Sequence, residues 1–413
     1  MTRTVDASVE DVMAERALEG VRIIECGYLV SAAYAAKLMA DMGAEVIKIE
    51  EPSGDLARQR GPYPGHIPHP EKSGLFLYLN TNKQGVTLDL KQSQGQDIFH
   101  RLLKDADLLI HNYHPTEMAD VGLDYARIEK VKPSLVMTTI APFGLSGPHR
   151  DYQATDLTTW SAGGITHLNG GGPGTDEMPP LRTFGQQAGY QGGVNAAIAS
   201  LGALFSRLST GEGQHVEVSI QESLLAILEL TFEFWPYMNL PSSRLGQKPI
   251  QPLEFLECKD GWIFLCCVEE HQWKNFVSVM DNPEWAGEEI FADRFSRAAN
   301  WDVLGPMLQD WIKDQSVMDL YHKCQSRRVP IAPVSTMGDL FNNEHLKSRG
   351  FFATIDHPTT GPLQYPGALY KFSESPWEIR RPAPLLGQHN DEVYGKLGLS
   401  QAEIGQLKQQ RII

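Results

Sequence analysis

The chain has 413 residues, 42% hydrophobic and 21% charged, and a formal charge of -15. That length is too great for one compact core and predicts two domains. An acidic chain without a Lys/Arg cluster excludes nucleic acid as a partner. No apolar stretch approaches the ~20 residues that a membrane helix needs, so no membrane association is expected. The acidic start (Asp6, Glu10, Asp11, Glu15) does not read as a signal peptide, and a cytoplasmic location follows as the expectation. The five cysteines, Cys26, Cys258, Cys266, Cys267 and Cys324, are odd in number and lack C-x-x-C spacing. They read as buried thiols, with neither a disulfide framework nor a metal site expected.

In chain order, the apolar run 21–26 predicts a buried strand, 32–42 a helix and 43–50 a second strand. Strand, helix and strand over about 30 residues make a βαβ unit and therefore a parallel sheet. The pattern repeats with strands at 86–90, 107–111 and 135–140 and helices at 93–105, 116–121 and 125–131. A long helix rich in Gly and Ala follows at 186–208, then a strand at 214–219 and a helix at 220–235. A second strand-rich unit begins near 250, with strands 253–258 and 262–268 joined by the turn Lys259-Asp260-Gly261. Helices at 271–280 and 302–326 come next, then a return connection at 329–334, and the chain closes on a helix at 400–410. The fold class is α/β. A Rossmann-like large domain spans 1–225 and is completed by 350–413, while 226–349 supplies linkers and a smaller α/β domain.

The first βα turn, Gly27-Tyr28-Leu29-Val30-Ser31, lacks G-x-G-x-x-G, so a dinucleotide pyrophosphate has no glycine cradle and nicotinamide chemistry is disfavoured. The most informative stretch is 140–174. There a strand runs into Ala141-Pro142-Phe143-Gly144-Leu145-Ser146-Gly147-Pro148 at the edge where open α/β sheets bind ligands, and Asp156 follows within a dozen or so residues. On spacing alone Asp156 is either a helix N-cap or a nucleophile, and the residues do not decide between them.

Several segments, in order from 18 to 413, together resemble the family III CoA-transferases (CaiB/BaiF-type, formyl-CoA transferase-like). They include Leu38-Met39-Ala40-Asp41-Met42-Gly43-Ala44-Glu45-Val46-Ile47-Lys48-Ile49-Glu50, Pro52-Ser53-Gly54-Asp55, Leu79-Asn80-Thr81-Asn82-Lys83, Phe143-Gly144 to Pro148, Thr210-Gly211-Glu212-Gly213-Gln214 and Ala383-Pro384-Leu385-Leu386-Gly387-Gln388-His389. The resemblance implies coenzyme A transfer between carboxylic acids, with Asp156 at the nucleophile position and acyl-CoA as substrate. It implies that Val30, Ser31, Lys48, Asn82, Lys83, Phe143 and Gly144 hold coenzyme A. It also implies an interlocked dimer, either a homodimer or a heteromer with a homologous subunit.

Such a carboxylate attacks the acyl-CoA to give a mixed anhydride and a CoA thiolate, and the thiolate then attacks the anhydride to give an aspartyl-CoA thioester. Water must be kept out, and the run Asn169-Gly170-Gly171-Gly172-Pro173-Gly174 reads either as a flap for that purpose or as a surface loop. Two positions depart from the family. His114 stands where Arg is common, and Asp120 stands where a relative has an Arg on CoA, which leaves Arg58, Arg60 and Arg150 as other phosphate partners and raises the alternative of a supporting subunit. A racemase of the same superfamily needs two proton-transfer groups, and Thr155 and Gly185-Gln186 occupy the positions where those relatives carry them. A dehydratase would need a base, for which His149, His167 and His215 are candidates by type only.

Overall fold

The computed structural model describes residues 16–170, 178–244 and 248–413, which fall into two compact units. The larger opens with strand β1 (Arg22–Cys26), helix α1 (Ser31–Asp41), β2 (Glu45–Glu50), α2 (Gly74–Leu79), β3 (Lys83–Thr87), α3 (Ser93–Leu103), β4 (Leu108–His111), α4 (Tyr125–Val131) and β5 (Val136–Ala141). It continues through α5 (Asp156–Ala162), α6 (Ile165–Leu168), α7 (Gln187–Thr210), β6 (His215–Ser219), α8 (Ile220–Leu225) and α9 (Leu230–Met238). The six strands form one parallel sheet in the order β3-β2-β1-β4-β5-β6. The order reverses between β1 and β4, and the crevice beyond their C-terminal ends is where such sheets take ligands.

Neighbouring strand residues divide between two cores. Ile24, Ile47 and Leu109 pack on one face with Phe99, Leu102 and Tyr394, while Ile23, Val46 and Leu108 pack on the other with Ala36, Met39 and Ala196. A sheet covered on both faces has to be apolar in both registers, which is why its strands read as unbroken apolar runs. On the second face α1 lies against α7. A side chain at Gly193 would come within 2.8 Å of the Ser31 carbonyl oxygen, so glycine here lets the two backbones approach.

The smaller unit holds β7 (Leu253–Cys258) and β8 (Gly261–Cys266), then α10 (Glu270–Val279), α11 (Arg294–Ala299), α12 (Trp301–Ile312), α13 (Val317–Ser326), β9 (Ile331–Pro333), α14 (Met337–Asn342) and α15 (Glu344–Ser348). Its sheet is antiparallel in the order β7-β8-β9 and packs Ile263 and Leu265 against Trp273, Phe276, Leu304 and Leu320. The chain then returns to the larger unit with the hairpin β10 (Phe352–His357) and β11 (Gly361–Pro366), followed by α16 (Asn390–Lys396) and α17 (Gln401–Gln409).

Several local readings change. The strand expected at 86–90 is β3 at 83–87, because Lys83 and Gln84 are buried through polar partners and sit inside the strand. No helix forms at 116–121, where the chain makes successive turns. The helix expected at 220–235 is broken into α8 and α9 at Glu229, whose φ is 50°. The helix expected at 302–326 is likewise two, α12 and α13. All five cysteines are free, and all but Cys266 are buried.

The C-terminal segment closes the β3 edge. Tyr394 is fully buried and its hydroxyl donates to the Thr87 carbonyl at 2.7 Å, while the Asn390 amide donates to Thr87 Oγ1 at 2.8 Å. Removing the phenol in Tyr394→Phe should cost about 1–2 kcal/mol without changing the fold. Urea denaturation of the purified variant should show the midpoint fall with the slope unchanged.

Candidate active site

Asp156 is not the cap of its own helix. Thr155 is, with Thr158 N–H directed at Thr155 Oγ1 and Thr155 N–H donating to Thr158 Oγ1 at 2.7 Å. Asp156 therefore takes the first helical position of α5, and its carboxylate points across to another helix. Gly189 N–H, in the first turn of α7, donates to Asp156 Oδ1 at 2.8 Å. The amides at a helix N-terminus carry partial positive charge and suit an anion. Half-burial nevertheless dominates and lifts the Asp156 carboxyl above its usual range, against the pull of the Gly189 and Ala188 amides. The packing of α5 follows from Trp160, which is buried with Ala188 of α7 and Leu224 of α8.

The switch-point loop meets this carboxylate. A side chain on Gly189 would lie 3.0 Å from Val30 Cβ and 3.7 Å from Asp156 Oδ1, so Val30, Gly189 and Asp156 are in one place. The loop is held tightly. Asn112, just beyond β4, donates through Nδ2 to the Tyr28 carbonyl (2.8 Å) and to Ser31 Oγ (3.0 Å), and its Oδ1 accepts from Tyr28 N–H (3.0 Å). A side chain at Gly27 would fall 2.0 Å from that Oδ1, so only glycine fits there. Leu29 has φ 60°, a left-handed conformation that costs a leucine on the order of 1 kcal/mol, and its N–H donates to Asp55 Oδ1 at 2.9 Å.

Lys48 lies beneath this loop, fully buried, with Glu25 and Asp55 each at 2.9 Å. Burial opposes its charge, but the Asp55 and Glu25 carboxylates outweigh it and hold the ammonium above the ordinary lysine range. Lys83 is equally buried, 2.7 Å from Glu25 Oε2 and 2.7 Å from the Ala33 carbonyl in the first turn of α1. There burial wins, and its pKa falls to about 8. Glu25 Oε2 and Asp55 Oδ2 meet their ammonium partners at ion-pair distance but without hydrogen-bond alignment.

The other expected residues divide by edge. Phe143 and Gly144 follow β5 on the ligand edge. Gln221 of α8 links their loop to α5: its N–H donates to the Pro142 carbonyl and its side chain to the Ala162 carbonyl. Glu217 Oε1 accepts from Leu145 N–H, and a side chain at Gly144 (φ 85°) would meet it at 2.7 Å. Asn82 sits at the opposite edge, where β3 begins, and is engaged by Asp41 and by backbone groups of residues 378, 380 and 381. Arg58 is buried between Glu50 and Glu71 over the Phe76 ring. Arg60, Arg150 and Asp120 are exposed, and His114 joins Thr116 to the Tyr152 carbonyl.

Thr155 is engaged as a cap, and Gln186 immediately precedes α7. Of the three histidines, His149 stacks on Tyr152, His167 bonds the Ser242 carbonyl, and His215 bonds Thr139 under the Tyr125 ring. Residues 171–174 of the glycine run lie outside the described residues. Among the described residues no His/Cys/Asp/Glu group could hold a metal ion, and no helix is long and apolar enough to cross a membrane. Reading along the chain missed Asn112, Asp55 and Gly189, although the position of Asn112 just past a switch-point strand was the available signal.

A parallel sheet of this order, with a half-buried carboxylate set against a helix start beside its switch point, has close counterparts among known proteins. The CoA-transferase family III model matches residues 18–390, and the chain belongs to that family. It is 32% identical over 389 residues to succinyl-CoA:(R)-benzylsuccinate CoA-transferase subunit BbsE of Thauera aromatica, covering 91% of this chain and 93% of that one. Identity is 29% over 401 residues to the succinyl-CoA–L-malate CoA-transferase alpha subunit of Chloroflexus aurantiacus, covering 96% of this chain and 92% of that one. The crystal structure of a CaiB/BaiF family protein from Brucella suis superposes with a TM-score of 0.82 at 26% identity, over 92% of this chain and 99% of that one.

The Asp156–Gly189 bond has a structural consequence separable from chemistry. Asp156→Asn keeps an oxygen for the Gly189 N–H and should unfold within about 0.5 kcal/mol of the parent, whereas Asp156→Ala leaves the α7 start uncapped and should cost about 1 kcal/mol. Denaturant melts of the two variants side by side will show the difference.

Proposed function

We propose that this chain moves coenzyme A from an acyl-CoA donor to a carboxylic acid acceptor, with Asp156 as the covalent carrier. The observation that supports this most is the half-buried carboxylate beside the switch-point loop, its proton affinity raised by burial. Partial desolvation makes an anion a better nucleophile, and the adjoining α7 amides offer stabilisation to an oxyanion as it develops. Asp156 Oδ attacks the thioester carbonyl, the C–S bond breaks and CoA leaves as thiolate, giving an acyl-aspartyl anhydride. The thiolate attacks the aspartyl carbonyl of that anhydride and releases the donor acid, leaving aspartyl-CoA thioester. The acceptor carboxylate then attacks the thioester carbonyl and the same steps run in reverse, so no net water is consumed.

In this reading Val30, Ser31, Phe143 and Gly144 line the coenzyme on the ligand edge. Lys48 and Lys83, whose ammonium groups are committed to buried carboxylates, contribute through the loop and the α1 start they support, and Asn82 through its hold on residues 378–381. The two curated relatives named above act with succinyl-CoA, which is therefore the first donor to assay. Two chains would associate as an interlocked pair in the cytoplasm. Ile198, Phe205 and Leu208 stand 64%, 77% and 79% exposed on α7, an apolar row that a partner chain would cover.

A second reading is favoured by the same hydrogen bond. Oδ1 of Asp156 already serves as a cap for α7, and the two relatives are subunits of larger enzymes, so the chain would support a homologous catalytic partner. Assaying the purified chain alone for CoA exchange separates the two, since only the first reading predicts turnover without a partner.

Under the first reading Asp156→Asn should lower exchange by a factor on the order of 10³ or more while the variant stays folded. Wild-type rates in that variant would remove the carboxylate from the mechanism. The working form of Asp156 is ionised and its pKa is raised, so kcat/KM should fall on the acid side at a pH above the ordinary aspartate value of about 3.9. A pH–rate profile with an acid limb at or below that value would contradict the assignment.

A further inference from the structure

We propose that Asp55 and Asn112 are positioning residues that hold the Leu29–Ser31 turn against α7 and so set where the thioester end of coenzyme A meets Asp156. The inference rests on the reading of this edge as the coenzyme site. Three observations carry it. The turn is strained at Leu29 (φ 60°), and its two backbone clamps come from outside the turn: Asp55 on the Leu29 amide, and Asn112 on both polar groups of Tyr28 and on Ser31 Oγ. A strained turn persists only where its surroundings over-determine it.

The Asp55 clamp is itself fixed from behind. Its Oδ1 also accepts from Ala57 N–H (2.8 Å), its Oδ2 faces Lys48 (2.9 Å), and its own N–H donates to Glu50 Oε2 (3.0 Å). Lys48 shares Glu25 with Lys83, so two ammonium groups and two carboxylates alternate in a sealed row, Lys83–Glu25–Lys48–Asp55, that ends on the loop amide. The row is electrically balanced, which is how buried charges persist in a low-dielectric interior. Its outer end leads straight to the chemistry, since Val30, the residue after Leu29, is the group packed on Gly189, whose amide holds Asp156. Neither Asp55 nor Asn112 makes a contact with Asp156, so they act through the turn.

The test uses the full chain as wild type, Asn112→Ala, Asp55→Ala and the charge-balanced Lys48→Met/Asp55→Ala, the last in case the single buried-charge change fails to fold. Hydrogen exchange is read on peptides covering residues 27–31, with 22–26 and 108–111 as controls, and CoA binding is read by calorimetry. Loss of the clamp hydrogen bonds should speed exchange at 27–31 by about tenfold or more, leave the control strands protected, and weaken CoA about tenfold. Unchanged exchange at 27–31 in Asn112→Ala and in whichever Asp55 variant folds overturns the clamp. A loosened turn with CoA affinity within twofold of wild type overturns its role in placing the coenzyme. If the wild-type chain binds no CoA, the proposed function fails instead, and the clamp is then decided by the exchange measurement alone.

Discussion

The hydrogen bond from Gly189 to Asp156 is the constraint on which the site depends. It exists because α7 can bring its first turn down onto the sheet's ligand edge, and α7 can do so because three of its packed residues there are glycine. Gly189 admits Val30, Gly192 admits Ile220, and Gly193 admits the backbone of α1. A larger residue at any of these positions would lift the helix start away from the switch point and take the carboxylate's partner with it. Close packing of helix on helix therefore determines the electrostatic setting of one oxygen.

The buried ion row performs the matching task from below. Charged residues seldom lie wholly inside a protein unless paired. Here Glu25 on β1, Lys48 on β2 and Lys83 on β3 satisfy one another across three adjacent strands, and Asp55 extends the row to the loop. Removing one member would leave its neighbour's charge uncompensated, a change that costs about 3–5 kcal/mol in comparable interiors. The row therefore resists the loss of any one member, and the Leu29 amide of the loop rests on its outer end. Sheet, loop and helix start together form one continuous frame around Asp156.

Most of the sheet was legible along the chain because strands buried on both faces leave unbroken apolar runs, as at Ile23-Ile24 and Leu108-Leu109-Ile110. The exception is instructive. β3 opens with Lys83-Gln84, polar residues that lie before the strand expected at 86–90, and they enter the strand because Glu25 and Glu392 pair with them from distant parts of the chain. Helix breaks at Glu229 and between Ile312 and Val317 were missed because the apolar spacing runs on across them. For the candidate site, ordered segment similarity singles out Asp156, while spacing alone leaves it between cap and nucleophile. The structure shows an intermediate arrangement that no local pattern encodes: Asp156 caps a helix, but one that begins 31 residues further along the chain. Lys48 and Lys83 illustrate the same limit, since burial and pairing, and hence their exclusion from solvent, are set by residues far away in sequence.

One measurement bears on the central claim most directly. The purified chain is incubated with succinyl-CoA and then hydroxylamine, which converts an activated aspartyl carbonyl to a hydroxamate, and the modified peptide is mapped by mass spectrometry. The account predicts the hydroxamate on Asp156, and none in a sample that never met the thioester. A label on any other side chain, with Asp156 unmodified in a chain that turns over, would contradict it.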